Sequence, residues 1–295
     1  MWRMCLPRDH PRRTIIMARD RSRSALILTM IATSLFAFPA KAADIVPHLA
    51  VYDMSMLRKS SDLVGGSGRI ALKLEREACE QIELDYRFVA RFEREDATVV
   101  TDQQTVSVEN FAARAYHFTT RTFVDNVEGW VIRGSATNTD TRTRVEIAEP
   151  SAETFDLPLS VFPTAHTMDL IDMAIAGESL VEARLYDGDN EAGKLLTTTA
   201  IITPVEAEAT PPGPANPEAA SSPVAAMLDL RRWRVAESYY NSDSKLDGLP
   251  LFQTSYTLYE NGISDDIIID NGDYAFSGSL SKLELASAPD CEDAS

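Results

Sequence analysis

The sequence predicts an all-β fold of antiparallel strands, and three observations carry this prediction. Apolar and polar residues alternate with period two over most of the chain. Turn-forming residues interrupt the alternation about every ten residues, and only one segment has helical spacing. A large meander, a sandwich and a barrel all satisfy this pattern.

The strands are predicted one after another along the chain. The segment "GRIALKLERE" places Ile70, Leu72 and Leu74 on one face, and "ARAYHFTTRTFVDN" does the same for Tyr116 and Phe118. The same alternation continues to the end of the chain in further segments: "QIELDYRFVARFERE", "EGWVIRGSATN", "TRTRVEIAE", "VEARLYDGDNEAGKLLTTTAIIT", "VAESYYNSDSKLDGLPLFQTSYTLYENGISDDIIID" and "GDYAFSGSLSKLELAS".

One segment, "FPTAHTMDLIDMAIAGE", breaks the alternation and predicts a short helix that lies on the sheet. Thr164 is a candidate cap for its N-terminus, and Gly177 is expected to end it. Met168, Ile171 and Ile175 recur at helical spacing between these two positions.

A second break covers residues 203–226, which contain six prolines and no aromatic residue. This composition predicts a flexible loop, because it cannot bury enough apolar surface to offset the entropy of ordering the chain. The strands that follow the loop are too few to form a stable domain alone. Residues 43–295 are therefore expected to form a single domain that contains the loop.

The N-terminal region predicts a secretory signal peptide over residues 1–42. Met17, the expected true start, begins a segment in which three arginines precede an apolar run from Ala25 to Ala40, and the motif "AKA" predicts cleavage after Ala42. An uncleaved membrane anchor is the alternative. It is less favoured because the apolar run is shorter than the roughly 20 residues that a spanning helix needs.

Cleavage makes the remaining chain strongly acidic. Residues 1–42 carry eight of the 28 basic residues and two of the 45 acidic ones, so the 253 residues that follow have a net charge of −23. Such a charge keeps a protein soluble and disfavours nucleic acid or an anionic membrane surface as a partner.

The mature chain retains two cysteines, Cys79 and Cys291, because Cys5 is removed with the signal peptide. An even count in an oxidising compartment indicates a disulfide. Two free thiols or intermolecular pairs are the alternatives. An intramolecular bond would fasten the C-terminal tail to an early strand, and we expect it to close the otherwise open ends of the sheet.

The sequence shows no catalytic constellation, metal site or cofactor motif. The segment "DGDNEAG", from Asp187 to Gly193, lacks the glycine and the later acidic ligand of a calcium loop, and a hairpin turn is favoured there. Four aspartates in "DDIIIDNGD" are interpreted as residues of two turns that flank a short strand, with adventitious cation binding as the less favoured alternative: Asp265, Asp266, Asp270 and Asp273. The remaining histidines lack metal-ligand spacing and a neighbouring nucleophile: His48, His117 and His166.

Several segments together resemble the EipB family of periplasmic cell-envelope-integrity proteins. They are "VPHLAVYDMSM", "GRIALKLEREACEQIELDYRFV", "FPTAHTMDLIDMAIAGE", "RLYDGDNEAGKLLTTTAII" and "YENGISDDIIIDNGDYAFSGSLSKLELASAPDC". The resemblance runs from Val46 to Cys291. The chain departs from the family pattern in the length of its proline-rich segment.

The resemblance implies a monomeric β-spiral, which is a single long antiparallel sheet wound into an open, barrel-like coil with one or two minor helices. It also implies a disulfide between Cys79 and Cys291. Members of the family resemble non-catalytic periplasmic proteins that maintain the envelope and are linked to periplasmic tetratricopeptide-repeat proteins, so such a protein is the expected partner.

Three functions are consistent with these observations. We expect a non-enzymatic protein without cofactors that protects the envelope through protein–protein contacts. The alternative is a periplasmic carrier of lipid or lipoprotein in the concave face of the sheet, and an enzyme acting on peptidoglycan or glycans is the third. Apolar residues on the concave face would favour the carrier, whereas a polar, filled interior would favour protein contacts.

The signal-peptide assignment predicts that the mature protein begins at Ala43 in the periplasm. The basic, apolar and small-residue regions occur in the order that signal peptidase recognises. N-terminal sequencing of the protein from a periplasmic extract should therefore read Ala-Asp-Ile-Val. Membrane-bound protein that still begins at Met1 or Met17 would contradict the assignment.

Overall fold

The computed structural model describes residues 45–189, 193–206, 223–241, 248–289 and 291, all of which belong to one compact unit. These residues form fourteen strands, one α-helix and one short 3-10 helix at Pro223–Met227. The strands are β1 (His48–Arg58), β2 (Gly65–Ala78), β3 (Gln81–Glu93), β4 (Thr98–Asn110), β5 (Ala115–Val124), β6 (Val127–Asn138), β7 (Arg142–Glu149), β8 (Glu153–Pro158), β9 (Leu180–Leu185), β10 (Leu196–Pro204), β11 (Arg232–Asn241), β12 (Phe252–Tyr259), β13 (Ser264–Asp270) and β14 (Ala275–Leu285). The α-helix, α1, spans Pro163–Ala176. The predicted signal peptide, residues 1–42, lies outside the described residues.

All fourteen strands belong to one antiparallel sheet, which confirms the predicted all-β class and the single long sheet. Their order is β8-β7-β6-β5-β4-β3-β2-β1-β14-β13-β12-β11-β10-β9. Neighbours in the sheet are neighbours in the chain at every position but one, where β1 pairs with β14. The sheet therefore consists of two meanders joined through the first and last strands.

Period-two alternation decides which side chains face the interior. Tyr116 and Phe118 of β5 are buried, as is Ile70 of β2, and these residues lie on the faces that the sequence predicted. Strand β4 inverts the pattern. Its polar residues, Ser107 and Glu109, face inward because they stand directly opposite inward-facing residues of β3 and β5.

The sheet curls until its two end strands approach each other, but it does not close into a continuous ladder. Val161, three residues after β8, forms an isolated parallel bridge with Leu185 of β9. The Val161 amide donates to the Arg184 carbonyl at 2.8 Å, and the Val161 carbonyl accepts from the Tyr186 amide at 3.0 Å. Phe155 and Leu157 of β8 also pack in one apolar cluster with Tyr186 and Leu195. Among the described residues this isolated bridge is the only backbone pairing between the two ends, so the fold is an open, barrel-like spiral.

Helix α1 connects β8 to β9 and differs from the prediction at its N-terminus. Phe162 occupies the cap position without a side-chain hydrogen bond, and Pro163 follows it within the helix, so Thr164 is not the cap. Instead, the Thr164 amide donates to the side chain of Glu109 from β4. Gly177 ends the helix with φ of 84°, in agreement with the prediction, because the left-handed conformation favours glycine.

The described residues include both ends of the predicted loop. Thr203 and Pro204 belong to β10, and the 3-10 helix at Pro223–Met227 packs on the core through Val224 and the fully buried Met227. Residues 207–222, which form the rest of the predicted loop, lie outside the described residues. Among the described residues, no helix is long and apolar enough to span a membrane.

The predicted disulfide between Cys79 and Cys291 is present, with 5.6 Å between the two Cα atoms. Cys79 lies in the turn between β2 and β3, and Cys291 follows β14. Strands β2 and β14 flank β1 in the middle of the sheet, whereas β8 and β9 are the two end strands of the sheet. The expectation that the bond closes the ends of the sheet is therefore wrong; the bond reinforces the seam at which the two meanders meet.

We predict that Cys79→Ser and Cys291→Ser lower the free energy of unfolding by similar amounts. The bond spans 212 residues, and a loop of that length corresponds to at most about 5 kcal/mol of stabilisation through restriction of the unfolded chain. Denaturant unfolding of both single variants and the double variant measures this effect. A double variant clearly less stable than either single one would show that each thiol has a separate role.

Candidate functional site

The curled sheet and α1 border an open cavity of about 380 Å³ on the inner face of the strands. Its volume falls in the range of small-molecule sites, roughly 300–1,000 Å³. Strands from both meanders contribute apolar side chains to its wall, which include Ile70, Leu72, Leu74, Leu84, Ile267 and Ile269. The interior of the spiral is thus incompletely filled, and the space that remains is largely apolar.

One wall of the cavity is polar and centres on Glu237 of β11, of which only 2% is exposed. One carboxylate oxygen accepts from His166 Nε2 at 2.8 Å and from the Thr198 hydroxyl at 3.0 Å. The other accepts from the Tyr239 hydroxyl at 2.9 Å and the Tyr256 hydroxyl at 2.6 Å. Four donors therefore satisfy the carboxylate, and His166 Nε2 must carry its hydrogen because a carboxylate can only accept.

The electrostatics of this wall favour an ionised Glu237. Burial acts to raise the pKa of Glu237. The hydrogen bond from His166, the charge of His166 and the hydrogen bonds from the two tyrosine hydroxyls act in the opposite direction. Together they outweigh burial and leave the pKa below its ordinary value. Burial and the nearby carboxylate raise the pKa values of Tyr239 and Tyr256, so both remain hydroxyl donors. The network anchors helix α1 to β10, β11 and β12.

A second buried carboxylate holds the N-terminus of the same helix. Glu109 of β4 accepts from the Thr164 amide at 2.9 Å and from the Ala165 amide at 3.0 Å, one with each oxygen. Burial raises the pKa of Glu109, and the two amide hydrogen bonds oppose that shift. Helix N-termini favour negative charge. Glu109, from a distant strand, therefore takes the place of the side-chain cap that the helix lacks.

His48, the first residue of β1, borders the cavity and is 4% exposed. Its Nδ1 lies 2.7 Å from the Val46 carbonyl oxygen, so Nδ1 carries the hydrogen. Burial lowers the pKa of His48, although the bond to Val46 acts in the opposite direction. The ring is therefore neutral near pH 7, and Nε2 presents a lone pair that no described residue satisfies.

The other residues considered in the sequence do not converge on a site. His117 is exposed on β5. Asp265 accepts from the Leu280 amide, and Asp270 pairs with Arg58. Within the described ranges, no group of three or more histidine, cysteine or acidic residues could hold a metal ion. Burial, with the charge of nearby Asp189, raises the pKa of Asp187 to about 6.

Sequence reasoning missed the two buried carboxylates, although one signal was available. In "WRVAESYYN", Trp233, Val235, Glu237 and Tyr239 share one strand face, so the acid occurs in phase with core residues. A buried acid must be paired or hydrogen-bonded, and this phase marks Glu237 as a candidate. Glu109 gives no such signal, because the neighbouring valines of β4, Val106 and Val108, lie on the opposite face of the strand.

The fold and cavity define a class of protein: one curled antiparallel sheet that encloses an apolar pocket with a polar wall. Residues 39–287 match a family model described as EipB-like. The chain belongs to this EipB-like family, as the sequence resemblance indicated.

Two similar proteins, both from Brucella abortus, agree with this assignment. One, named cell envelope integrity protein EipB, is 31% identical over 249 residues, which cover 83% of this chain and 86% of the relative. The other is a crystal structure described as a β-barrel-like protein of domain of unknown function DUF1849. It is 30% identical, has a TM-score of 0.76 and covers 83% of this chain and 100% of its own.

We predict that Glu237→Gln lowers the free energy of unfolding at pH 7 by about 3 kcal/mol, because the amide leaves buried donors unpaired. Glu182→Gln, on the exposed face of β9, is the matched control and should change stability by less than about 0.5 kcal/mol.

The pH dependence of this difference follows from the depressed pKa. The stabilisation from Glu237 is fully present above 4.5, the ordinary pKa of glutamate, and is lost as the pH falls through the lower folded-state pKa. The difference between wild type and Glu237→Gln should therefore shrink below about pH 4. Urea unfolding between pH 3 and 8 measures it, and equal stability of the two proteins at pH 7 would contradict the proposed anchoring role.

Proposed function

We propose that this chain is a non-catalytic periplasmic protein that maintains the integrity of the cell envelope, and that it does so by holding the apolar part of a lipid or lipoprotein in its cavity. The apolar lining of the cavity carries the proposal. The name of the Brucella abortus relative supports a role in the cell envelope. The signal peptide predicted from the sequence supports the periplasm.

The lining supports a carrier rather than a protein that acts only through surface contacts. The sheet presents leucine and isoleucine side chains to open space inside the spiral rather than filling that space with side chains. Each methylene group transferred from water to such a surface contributes about 0.8 kcal/mol, so a chain of about ten carbons has a large driving force before the entropy of binding is subtracted.

The polar wall supports a binding role rather than catalysis. Both oxygens of Glu237 are occupied by donors, so the carboxylate could accept a substrate proton only by giving up one of its hydrogen bonds. The pairing of His166 with Glu237 also ties Nε2 of the imidazole to the protein. These contacts are those of an anchor for α1.

Protein contacts form a second candidate, and one surface favours it. At the tip of the β5–β6 hairpin, Val124 pairs directly with Val127, and Trp130 pairs with Thr122. Val127 is 69% exposed and Trp130 is 45% exposed. Aromatic residues in exposed apolar patches are typical of protein interfaces. We propose this tip as the contact for a partner, such as the periplasmic tetratricopeptide-repeat protein implied by the family resemblance, with the chain acting as a monomer.

We predict that Leu84→Trp fills the cavity and abolishes binding of an apolar chain, because Leu84 borders the cavity from β3. Val89→Trp on the same strand is the matched control, since odd-numbered positions of β3 point away from the interior. Protein purified from the periplasm should release an acyl-chain compound on denaturation and extraction, detected by mass spectrometry, from wild type and Val89→Trp but not from Leu84→Trp.

The same variants separate the two candidate functions in cells that lack the native gene. If binding protects the envelope, Leu84→Trp should fail to restore growth on detergent at normal protein abundance, whereas Val89→Trp should restore it. If folded Leu84→Trp restores growth fully, the cavity is not needed and protein contact is favoured. In that case Trp130→Ser should remove protection.

A further inference from the structure

We infer that the cavity selects an uncharged amphipathic ligand whose polar end donates a hydrogen bond, as an alcohol does, and that His48 Nε2 accepts this bond. The inference rests on the proposed function, because it assumes that the cavity holds an apolar chain. It adds the chemical class of the polar end and the residue that recognises it.

The charges around the cavity disfavour an anionic ligand. None of the described residues that border it is a lysine or an arginine, and His166 is already paired with Glu237, so a carboxylate or phosphate would have no free cation to pair with. The carboxylate on the cavity wall, that of Glu237, would repel an anion. Burial of an unpaired charge is strongly unfavourable, so an anionic head group would have to remain outside the cavity.

A cationic ligand is disfavoured for a different reason. Among the described residues of the cavity wall, Glu237 is the only acidic one. His166, Thr198, Tyr239 and Tyr256 already donate to its two oxygens. A cation would have to displace these donors and leave them unpaired in a buried site. The cavity therefore disfavours a charged head group of either sign more strongly than it disfavours an uncharged polar one.

His48 supplies the complementary contact for a neutral donor. Its Nδ1–H is committed to the Val46 carbonyl, and Nε2, on the opposite edge of the ring, has no partner among the described residues. A side chain with 4% exposure leaves little surface for bulk water. The ring borders the cavity, so a ligand hydroxyl there could donate to Nε2 and satisfy its lone pair.

Tyr86 provides a second polar contact on the same wall. Tyr86 borders the cavity, and no described residue forms a hydrogen bond with its hydroxyl. Burial, with the charge of Asp189, raises the pKa of Tyr86 and keeps the hydroxyl protonated. Tyr52 also borders the cavity, but its hydroxyl donates to the Ser264 carbonyl oxygen at 2.9 Å. The Tyr86 hydroxyl is therefore available to a ligand, whereas the Tyr52 hydroxyl is bonded within the protein.

The test compares ligands that share one chain and differ in the head group. Decan-1-ol, decanoate, decyltrimethylammonium and decyl methyl ether are titrated against the full mature protein that has been loaded with the uncharged fluorophore 1-N-phenylnaphthylamine. Decan-1-ol should displace the fluorophore at concentrations at least about tenfold lower than either charged ligand. The methyl ether, which cannot donate, should fall between the alcohol and the charged ligands.

Two substitutions at His48 separate recognition from structure. His48→Asn retains a donor near the Val46 carbonyl and removes the acceptor at the Nε2 position, whereas His48→Gln retains an acceptor near that position. His48→Asn should weaken decan-1-ol about fivefold to tenfold, the change expected for one buried hydrogen bond. It should leave the methyl ether unchanged, and His48→Gln should keep most of the affinity for the alcohol.

The tyrosine pair gives an independent measurement. Tyr86→Phe should weaken decan-1-ol without changing the melting temperature, while Tyr52→Phe should lower the melting temperature without changing the preference among head groups. Equal displacement by all four ligands, or equal loss of alcohol and ether in folded His48→Asn, would overturn the inference and leave the proposed function standing. Failure of the fluorophore and of every decyl compound to bind would overturn the proposed function itself.

Discussion

Two buried carboxylates fix helix α1 inside the curled sheet, and the cavity depends on them. Glu109 holds the first turn of the helix from one meander, and Glu237 holds His166 from the other. Six strands lie between β4 and β11 in the sheet order, so one helix can contact both only if the sheet curves around it. Burial of a carboxylate is tolerated only when its oxygens are satisfied. The position of α1, and with it the curvature of the sheet, is therefore set by hydrogen-bond geometry as well as by apolar burial.

The cavity lies where separately packed apolar clusters meet. An aromatic cluster fills one part of the spiral, where Phe92 contacts both Tyr274 and Phe276 edge to face. A second cluster packs Leu170 and Ile171 of α1 against the strands of the C-terminal meander. Side chains between these clusters remain in contact with open space because the helix, held by its polar anchors, does not move down onto them. The same anchors that orient the helix thus keep a space available for a ligand.

Alternation in the sequence predicted the strands well, because one face of most strands is apolar and the other polar. Strand β4 was not identified, since its centre reads Thr-Asp-Gln-Gln-Thr and its second half places Val106 and Val108 on the face opposite to the inward-facing Ser107 and Glu109. The helix was predicted, but its cap was assigned to Thr164, because a carboxylate that arrives from a distant strand leaves no local signal. The seam between β1 and β14 was equally hidden: it joins segments more than two hundred residues apart, and strand alternation carries no information about distant pairing. His48 shows the same limit, because spacing in the sequence does not reveal that the residue borders a cavity.

The seam between β1 and β14 also dictates when each part of the molecule can be completed. Synthesis delivers the N-terminal meander first, with β1 bonded to β2 along one side and bare along the other, because its second partner is the final strand. That bare side must wait until nearly the entire polypeptide has emerged, and an unpaired strand of this kind is a template for aggregation. The Cys79–Cys291 bond joins the same two regions, so it can form only at the last stage. Folding therefore has a late, all-or-none step. A chain that stops before β14 would leave one side of β1 permanently unpaired. Loss of the C-terminal strand is therefore far more harmful in this fold than the loss of a terminal segment usually is.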